Sequence, residues 1–261
     1  MKLRLKEVYS AFANFIYPSH CLHCSLRIPH SLGVFCELCS HQLELLSLVD
    51  RCPICFGEDF DKSQEICYTC FLHPPVLKRC AAVFDYTGPA ASLIKQMKYG
   101  NQPYLARGIG AYLAVQWLKL NWPLPDLIVP VPLTLTHRLS RGYNQSLLIA
   151  QSMNLILGSK VKSIIRRSLF DTSQAGLNKR ERLHLNAESF SLKGNADVRD
   201  QVILIVDDVI TTGKTLHSCA EALNEGFPKS IYGLAFCKAP FAPKSTSFYE
   251  NTATSLSLLE S

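Results

Sequence analysis

The stretch Val202-Ile-Leu-Ile-Val-Asp-Asp-Val-Ile-Thr-Thr-Gly-Lys-Thr215 constrains this chain more than any other part of it. Residues 202–206 are five apolar side chains in a row, the pattern of a strand buried on both faces in the middle of a parallel sheet. Asp207 and Asp208 stand where that strand is expected to end, and there they are expected to have no partner in the core. The turn Thr211-Thr-Gly-Lys-Thr215 is small and hydroxyl-rich and opens a helical stretch over 216–224. Backbone N–H groups at a strand–turn–helix junction can hold a phosphate. The acidic pair beside it can hold ribose hydroxyls, directly or through Mg²⁺.

Gly213-Lys214-Thr215 looks like the end of a nucleotide-triphosphatase P-loop, but that motif needs a glycine five residues before its Gly-Lys pair. The residue there is Asp208, so that reading fails. At every position the segment instead resembles the phosphoribosyl-pyrophosphate (PRPP) signature of the type I phosphoribosyltransferases.

Cysteine spacing is the second strong feature. Cys21-x-x-Cys24 and Cys36-x-x-Cys39 are separated by eleven residues, and the pattern repeats as Cys52-x-x-Cys55 and Cys67-x-x-Cys70. Each pair can present two thiolates to one ion, and two pairs complete a tetrahedral structural zinc site. Disulfides compete as an explanation, but they belong to oxidising compartments. Met1 to Pro18 shows no secretory h-region, because Lys6, Glu7 and Asn14 interrupt its apolar residues. Zinc, two ions per chain, and a cytoplasmic location are therefore expected. Spacing leaves the pairing open between sequential, interleaved and singly loaded arrangements. Cys80, Cys219 and Cys237 lie outside the pattern and read as small buried apolar residues.

The formal charge of +6 counts cysteines as neutral. Two Cys₄ zinc sites, each with a net −2, reduce it to about +2. Global charge is thus a poor argument for nucleic-acid binding. Local charge is better: residues 138–182 hold nine Lys or Arg and two acids, Asp171 and Glu181, a basic stretch suited to nucleic-acid phosphates or to pyrophosphate.

At 261 residues the chain suits a small module plus one larger domain. The expected division is an amphipathic N-terminal helix in 1–17, a double zinc ribbon in 18–75, a phosphoribosyltransferase domain in 76–240 and a weakly ordered tail in 241–261. No apolar run is long enough for membrane insertion. Strands are expected over 80–86, 127–132, 161–165, 202–206 and 230–236, with helices over 88–97, 105–120, 147–157 and from 216. A polar connection fills 166–190. Strands alternating with helices predict an α/β fold, a mainly parallel sheet with helices on both faces, whose ligand site lies outside the carboxyl ends of the strands.

Taken together, the chain from 17 to 238 resembles the ComF-like competence proteins and their GntX-like relatives, which join a double zinc ribbon to a type I phosphoribosyltransferase domain. The pieces are the four Cys-x-x-Cys pairs, Leu93-Ile-Lys-Gln-Met-Lys-Tyr-Gly100, Ile128-Val-Pro-Val-Pro-Leu133 and Arg138-Leu-Ser-Arg-Gly-Tyr-Asn-Gln145, then Gln174-Ala-Gly-Leu177, Glu181-Arg182 and the PRPP signature. One departure stands out: an asparagine expected three residues after Arg182 is Leu185, with Asn186 next.

The resemblance implies that Asp207 and Asp208 hold the ribose hydroxyls of PRPP with Mg²⁺, and that Thr211, Thr212, Gly213, Lys214 and Thr215 hold the 5-phosphate. It implies pyrophosphate contacts from Arg138 and Arg141, a site role for Lys98, and a closing loop in 166–190 that carries Gln174, Arg180 and Arg182. The bland alternative for Lys98 is a solvated helix face shared with Lys95 and Arg107. No nucleophile or conventional triad can be assembled, which suits displacement of pyrophosphate, a step that needs positive charge on the leaving group and a fixed ribose more than a strong base. Two functions follow. One is a Mg²⁺-dependent phosphoribosyltransferase of unknown acceptor that acts in natural competence, in the uptake or handling of transforming single-stranded DNA. The other is a non-catalytic module that senses PRPP or a nucleotide, or binds nucleic acid, in contact with single-stranded DNA, a competence helicase or another DNA-processing protein. Phe35, Phe56, Phe60, Tyr68 and Phe71 could stack on bases or form the ribbons' minimal core. On this reading the ribbons are a scaffold remote from the chemistry, and a chain starting near Val76 keeps its fold.

Overall fold

The structure is a computed structural model that describes residues 20–29, 33–47, 49, 51–58, 60, 63–134, 140–168, 189–194 and 196–240. The expected N-terminal helix and C-terminal tail lie outside these residues. Five parallel strands form the central sheet: β1 (Arg79–Asp85), β2 (Leu127–Pro130), β3 (Lys160–Val161), β6 (Val202–Ile210) and β7 (Ser230–Lys238). Their spatial order is β1-β7-β6-β2-β3, which puts β6 in the centre. A two-stranded antiparallel ribbon, β4 (Ile165–Ser168) and β5 (Ser189–Leu192), stands beside it.

Period-two alternation along the central strand sorts its side chains to two faces. Val202, Leu204 and Val206 enter one apolar cluster, where they meet helices α3 (Gly88–Tyr99), α4 (Ala106–Lys119) and α5 (Gln145–Leu157). Ile203 and Ile205 enter the other, with Leu216, Cys219 and Leu223 of α6 (Lys214–Asn224). Covering a parallel sheet on both faces is what makes its strands continuously apolar. Gly158 ends α5 at φ +70, the left-handed conformation that favours glycine at a helix C-terminus.

Two expectations about the strands are corrected. The strand expected over 161–165 divides: β3 stays at the sheet edge, whereas Ile164 and Ile165 join the cluster that includes α6 residues, and Ile165 starts β4. The connection expected over 166–190 therefore has strands at both ends, and 169–188 lies outside the described residues. β6 also continues past Val206, because β7 runs beside it as far as Ile210↔Lys238. On its other side, pairing with β2 stops at Pro130↔Val206. Asp207 and Asp208 thus stand beyond the end of β2 while still paired along β7.

The cysteine segment contributes two short helices, α1 (Glu37–His41) and α2 (Tyr68–Leu72). It does not stand apart from the sheet. Ile28, Phe35 and Phe56 share one buried cluster with Val83, Phe84, Ile94 and Met97. The Leu46 N–H donates to Val83 O at 2.9 Å, and Gln116 Nε2 donates to Leu46 O at 3.2 Å. His23 Nδ1 lies 3.0 Å from Ser92 Oγ on α3. The expectation that the sheet domain keeps its fold in a chain starting near Val76 is corrected accordingly: cysteine-segment residues belong to one of the sheet domain's two core clusters. No helix among the described residues is long and apolar enough to cross a membrane.

Candidate functional site

Each half of the cysteine segment folds the same way. The first Cys-x-x-Cys of each half makes a tight loop: Ser25 N–H donates to Cys21 O at 3.0 Å, and Phe56 N–H to Cys52 O at 2.8 Å. The residue after each loop is left-handed, Ser25 at φ 63 and Phe56 at φ 60, a conformation uncommon outside glycine. The second pair of each half opens a helix, with Cys36 and Cys67 at the N-caps of α1 and α2. Loop and helix turn aim four sulfurs inward. Cys21, Cys24, Cys36 and Cys39 form one cluster, and Cys52, Cys55, Cys67 and Cys70 the other, with the ligand atoms within 4.8 Å of one another. Of the pairings that spacing left open, the structure brings together the sequential one.

These sulfurs are unequal. Burial raises the Cys21 thiol, but backbone N–H groups of Cys24, Cys36 and His23 outweigh it and bring the pKa to about 6. Burial likewise raises Cys52, and the N–H groups of Cys55, Cys67 and Ile54 bring it to about 7. Burial pushes Cys55 to about 11, and it pushes Cys39 and Cys70 further, with help from neighbouring thiols. Backbone N–H groups thus favour the thiolate form of Cys21 and Cys52, and a dication that accepts four sulfurs would displace the protons that remain. All-sulfur sites with no spare ligand suit structural zinc.

The second site is built at the end of β6. Asp207 Oδ1 accepts from Ser146 Oγ of α5 at 3.1 Å and from the Asp208 N–H at 2.8 Å. Asp208 is 8% exposed and forms an ion pair with Lys98 Nζ of α3 at 2.7 Å. The expectation that the two carboxylates lack partners is corrected, because the first turn of α5 and the last turn of α3 converge on the strand end. Burial first, then the charge of Asp208, lifts the Asp207 pKa from 3.8 to about 7, against the lowering influence of the Asp208 N–H, Lys98 and Ser146.

Next comes the turn. Thr211, Thr212 and Lys214 are exposed, and Gly213 and Thr215 are half-buried. Gly213 caps α6 at φ +79, where a side chain would be strained. Lys214 N–H lies 3.4 Å from Thr212 Oγ1. An exposed lysine in the first turn of a helix opposes the macrodipole unless an anion sits there.

Arg141 stacks on Tyr99, 5.4 Å from the ring centroid, and the Tyr143 hydroxyl donates to Met97 O. Both contacts hold the 141–143 turn against the end of α3 that carries Lys98. Asn144 caps α5 by accepting from Leu147 N–H at 3.3 Å, and its amide donates to Val131 O at 3.0 Å. Beside it, Gln145 is fully buried, with neither side-chain amide atom hydrogen-bonded among the described residues. The structure thus brings Lys98, Asp207, Asp208 and the turn 211–215 to one strand end, with Arg141 at the adjoining helix terminus. Arg138, Gln174, Arg180, Arg182 and Leu185 lie outside the described residues.

Sequence reasoning missed Ser146 and Asn144 as site-shaping residues. The signal was present in Tyr143-Asn-Gln-Ser146, a polar run at the start of an apolar helix, where a cap is expected. It missed Lys238 too, a lysine that ends an otherwise apolar strand and donates to Thr211 O at 2.7 Å.

Comparison with known proteins agrees with this architecture. A family model described as a phosphoribosyl transferase domain matches residues 144–256. "Competence protein F" of Haemophilus influenzae is 28% identical over 232 residues, covering 86% of this chain and 98% of that protein. "DNA utilization protein YhgH" of Salmonella typhi is 30% identical over 226 residues, 85% of this chain and 97% of its own length. "Competence protein ComFC" of Bacillus subtilis is 23% identical over 205 residues, 78% of each chain. With both cysteine clusters and the parallel-sheet phosphoribosyltransferase-type domain present in one chain, and relatives matched over nearly their full length, this protein belongs to the ComF family of competence and DNA-utilization proteins.

Proposed function

We propose that this protein binds PRPP at the carboxyl end of β6 and transfers its phosphoribosyl group to an acceptor during the uptake or use of DNA. The observation that carries this is the juxtaposition of Asp207, Asp208 and the 211–215 turn at the end of the central strand. Asp207 and Asp208 are proposed to hold the ribose hydroxyls. The N–H groups of 211–215 and the hydroxyls of Thr211, Thr212 and Thr215 are proposed for the 5-phosphate, with Lys214 adding charge. Lys98, Arg138 and Arg141 are proposed for the pyrophosphate. The all-oxygen donor set of the two aspartates fits a hard dication. Mg²⁺ would supply charge neutralisation to the leaving pyrophosphate. Before ligand arrives, Lys98 neutralises Asp208, so the pair must reorganise on binding. The DNA context rests on the relatives' names, and the zinc assignment on the sulfur geometry. Calorimetric titration of PRPP with and without Mg²⁺, followed by pyrophosphate release against bases and single-stranded DNA, tests this. Tight Mg²⁺-dependent binding is expected.

One observation favours a second reading. Phe35 and Phe56 are buried in the core, but Tyr68 and Phe71 are each 69% exposed on α2 and are free to stack on bases or to meet a protein partner. On that reading the chain senses PRPP or a nucleotide and contacts single-stranded DNA or a helicase without catalysis. Saturable PRPP binding with no pyrophosphate release from any acceptor would select it.

A further inference from the structure

The second cysteine loop and the proposed phosphate loop meet the same corner of the sheet. Lys238 is the last residue of β7 and is 8% exposed. Its carbonyl accepts from Tyr86 N–H at 2.7 Å, and it pairs in register with both Asp85 of β1 and Ile210 of β6. Its ammonium turns back to the carbonyl of Thr211 at 2.7 Å, the first residue of the phosphate turn. Asp85, its partner across the strands, accepts from Arg51 Nη2 at 3.0 Å. Arg51 immediately precedes Cys52, forms an ion pair with Glu58, its Nη1 3.0 Å from Glu58 Oε1, and stacks on the buried Phe56 ring at 4.9 Å. Burial disfavours the Lys238 ammonium and lowers its pKa. A charge removed from water holds an acceptor more firmly than an exposed one.

We propose that Lys238 is a positioning residue that fixes the phosphate turn through the Thr211 carbonyl, and that the Arg51–Asp85 pair ties this anchor to the second cysteine loop. The inference rests on the reading of 211–215 as the phosphate loop. The buried lysine ammonium contacts the turn at a backbone carbonyl, while the Thr211 and Thr212 side chains are exposed. It holds the backbone whose N–H groups must converge on one anion before that anion arrives. Preorganisation of this kind lowers the ordering cost of binding. The second cysteine cluster thereby supports ligand affinity through two side-chain contacts and one strand register, without touching the ligand.

Hydrogen exchange on the full zinc-loaded chain tests this without requiring PRPP. Lys238→Met and Asp85→Ala should each raise exchange across 211–215 by about tenfold, while 202–206 exchange as in the unmodified protein. Lys238→Arg should restore slow exchange, a rescue that simple loss of packing would not show. PRPP affinity should fall about tenfold in Lys238→Met. Wild-type exchange over 211–215 in either variant, or failure of arginine to restore it, overturns the proposal. If Lys238→Met loses protection at 202–206, Lys238→Gln replaces it. An increase confined to 211–215 then supports the anchor, and wild-type exchange overturns it. Absence of PRPP binding by the unmodified chain would count against the function proposed above and leave the exchange result to decide the anchor.

Discussion

Lys98 and Asp208 hold each other with side chains only 17% and 11% exposed, so neither charge is easily surrendered to water. Removing one partner of a fully buried pair costs about 3–5 kcal/mol; this pair keeps some solvent, and about 2 kcal/mol is expected from Lys98→Met or Asp208→Asn in urea unfolding. The double variant should recover most of that loss, since no charge is left unpaired. Asp207 makes a different prediction. Its folded pKa is raised from 3.8 to about 7 by burial and then by Asp208. A carboxyl raised in this way adds stability that is complete below the unfolded value and is lost as pH rises through the folded one. Melting temperature should therefore decline between about pH 4 and pH 7 for this group, and Asp207→Asn should flatten that decline. Affinity for Mg²⁺ with PRPP should run the other way, rising through neutrality as Asp207 loses its proton.

Among the elements, those with strong periodicity or clear punctuation were legible in the sequence. The 202–206 run, Gly88-Pro89 and Gly158 placed β6, the start of α3 and the end of α5 because each signal is local. What sequence could not show was where β6 stops, which depends on how far β7 runs beside it, or that Ile164 and Ile165 leave the sheet for α6. Those outcomes are decided by neighbours distant in sequence. The contacts of Lys98 and Lys238 were illegible for the same reason, as they join residues 110 and 27 positions apart. Phe56 belongs to this scale too. It looked like a ribbon residue, yet it is fully buried in the shared core and left-handed. Phe56→Ala should cost about 3–5 kcal/mol, as large aromatic truncations in packed cores do. Thermal or urea unfolding measures it, and a loss below about 1 kcal/mol would mean that the loop is only loosely attached.

For the whole molecule, the cysteine segment and the sheet share one apolar cluster, so their stabilities should be linked. Metal analysis should find two zinc ions per chain. Chelation should lower the melting temperature of the entire chain, with a single transition rather than two. A chain beginning at Val76 would lack Ile28, Phe35 and Phe56 from the apolar cluster that also holds Val83, Phe84 and Met97, and it should aggregate or bind hydrophobic dye. The most direct test of the central claim is calorimetric titration of PRPP with Mg²⁺ into the unmodified chain and into a chain with both Asp207→Asn and Asp208→Asn. The unmodified chain should bind one PRPP per chain, and the folded double variant, with its melting transition intact, should bind none. Equal binding by the two, or no binding by the unmodified chain, would contradict the assignment of the β6 carboxylates as the PRPP site.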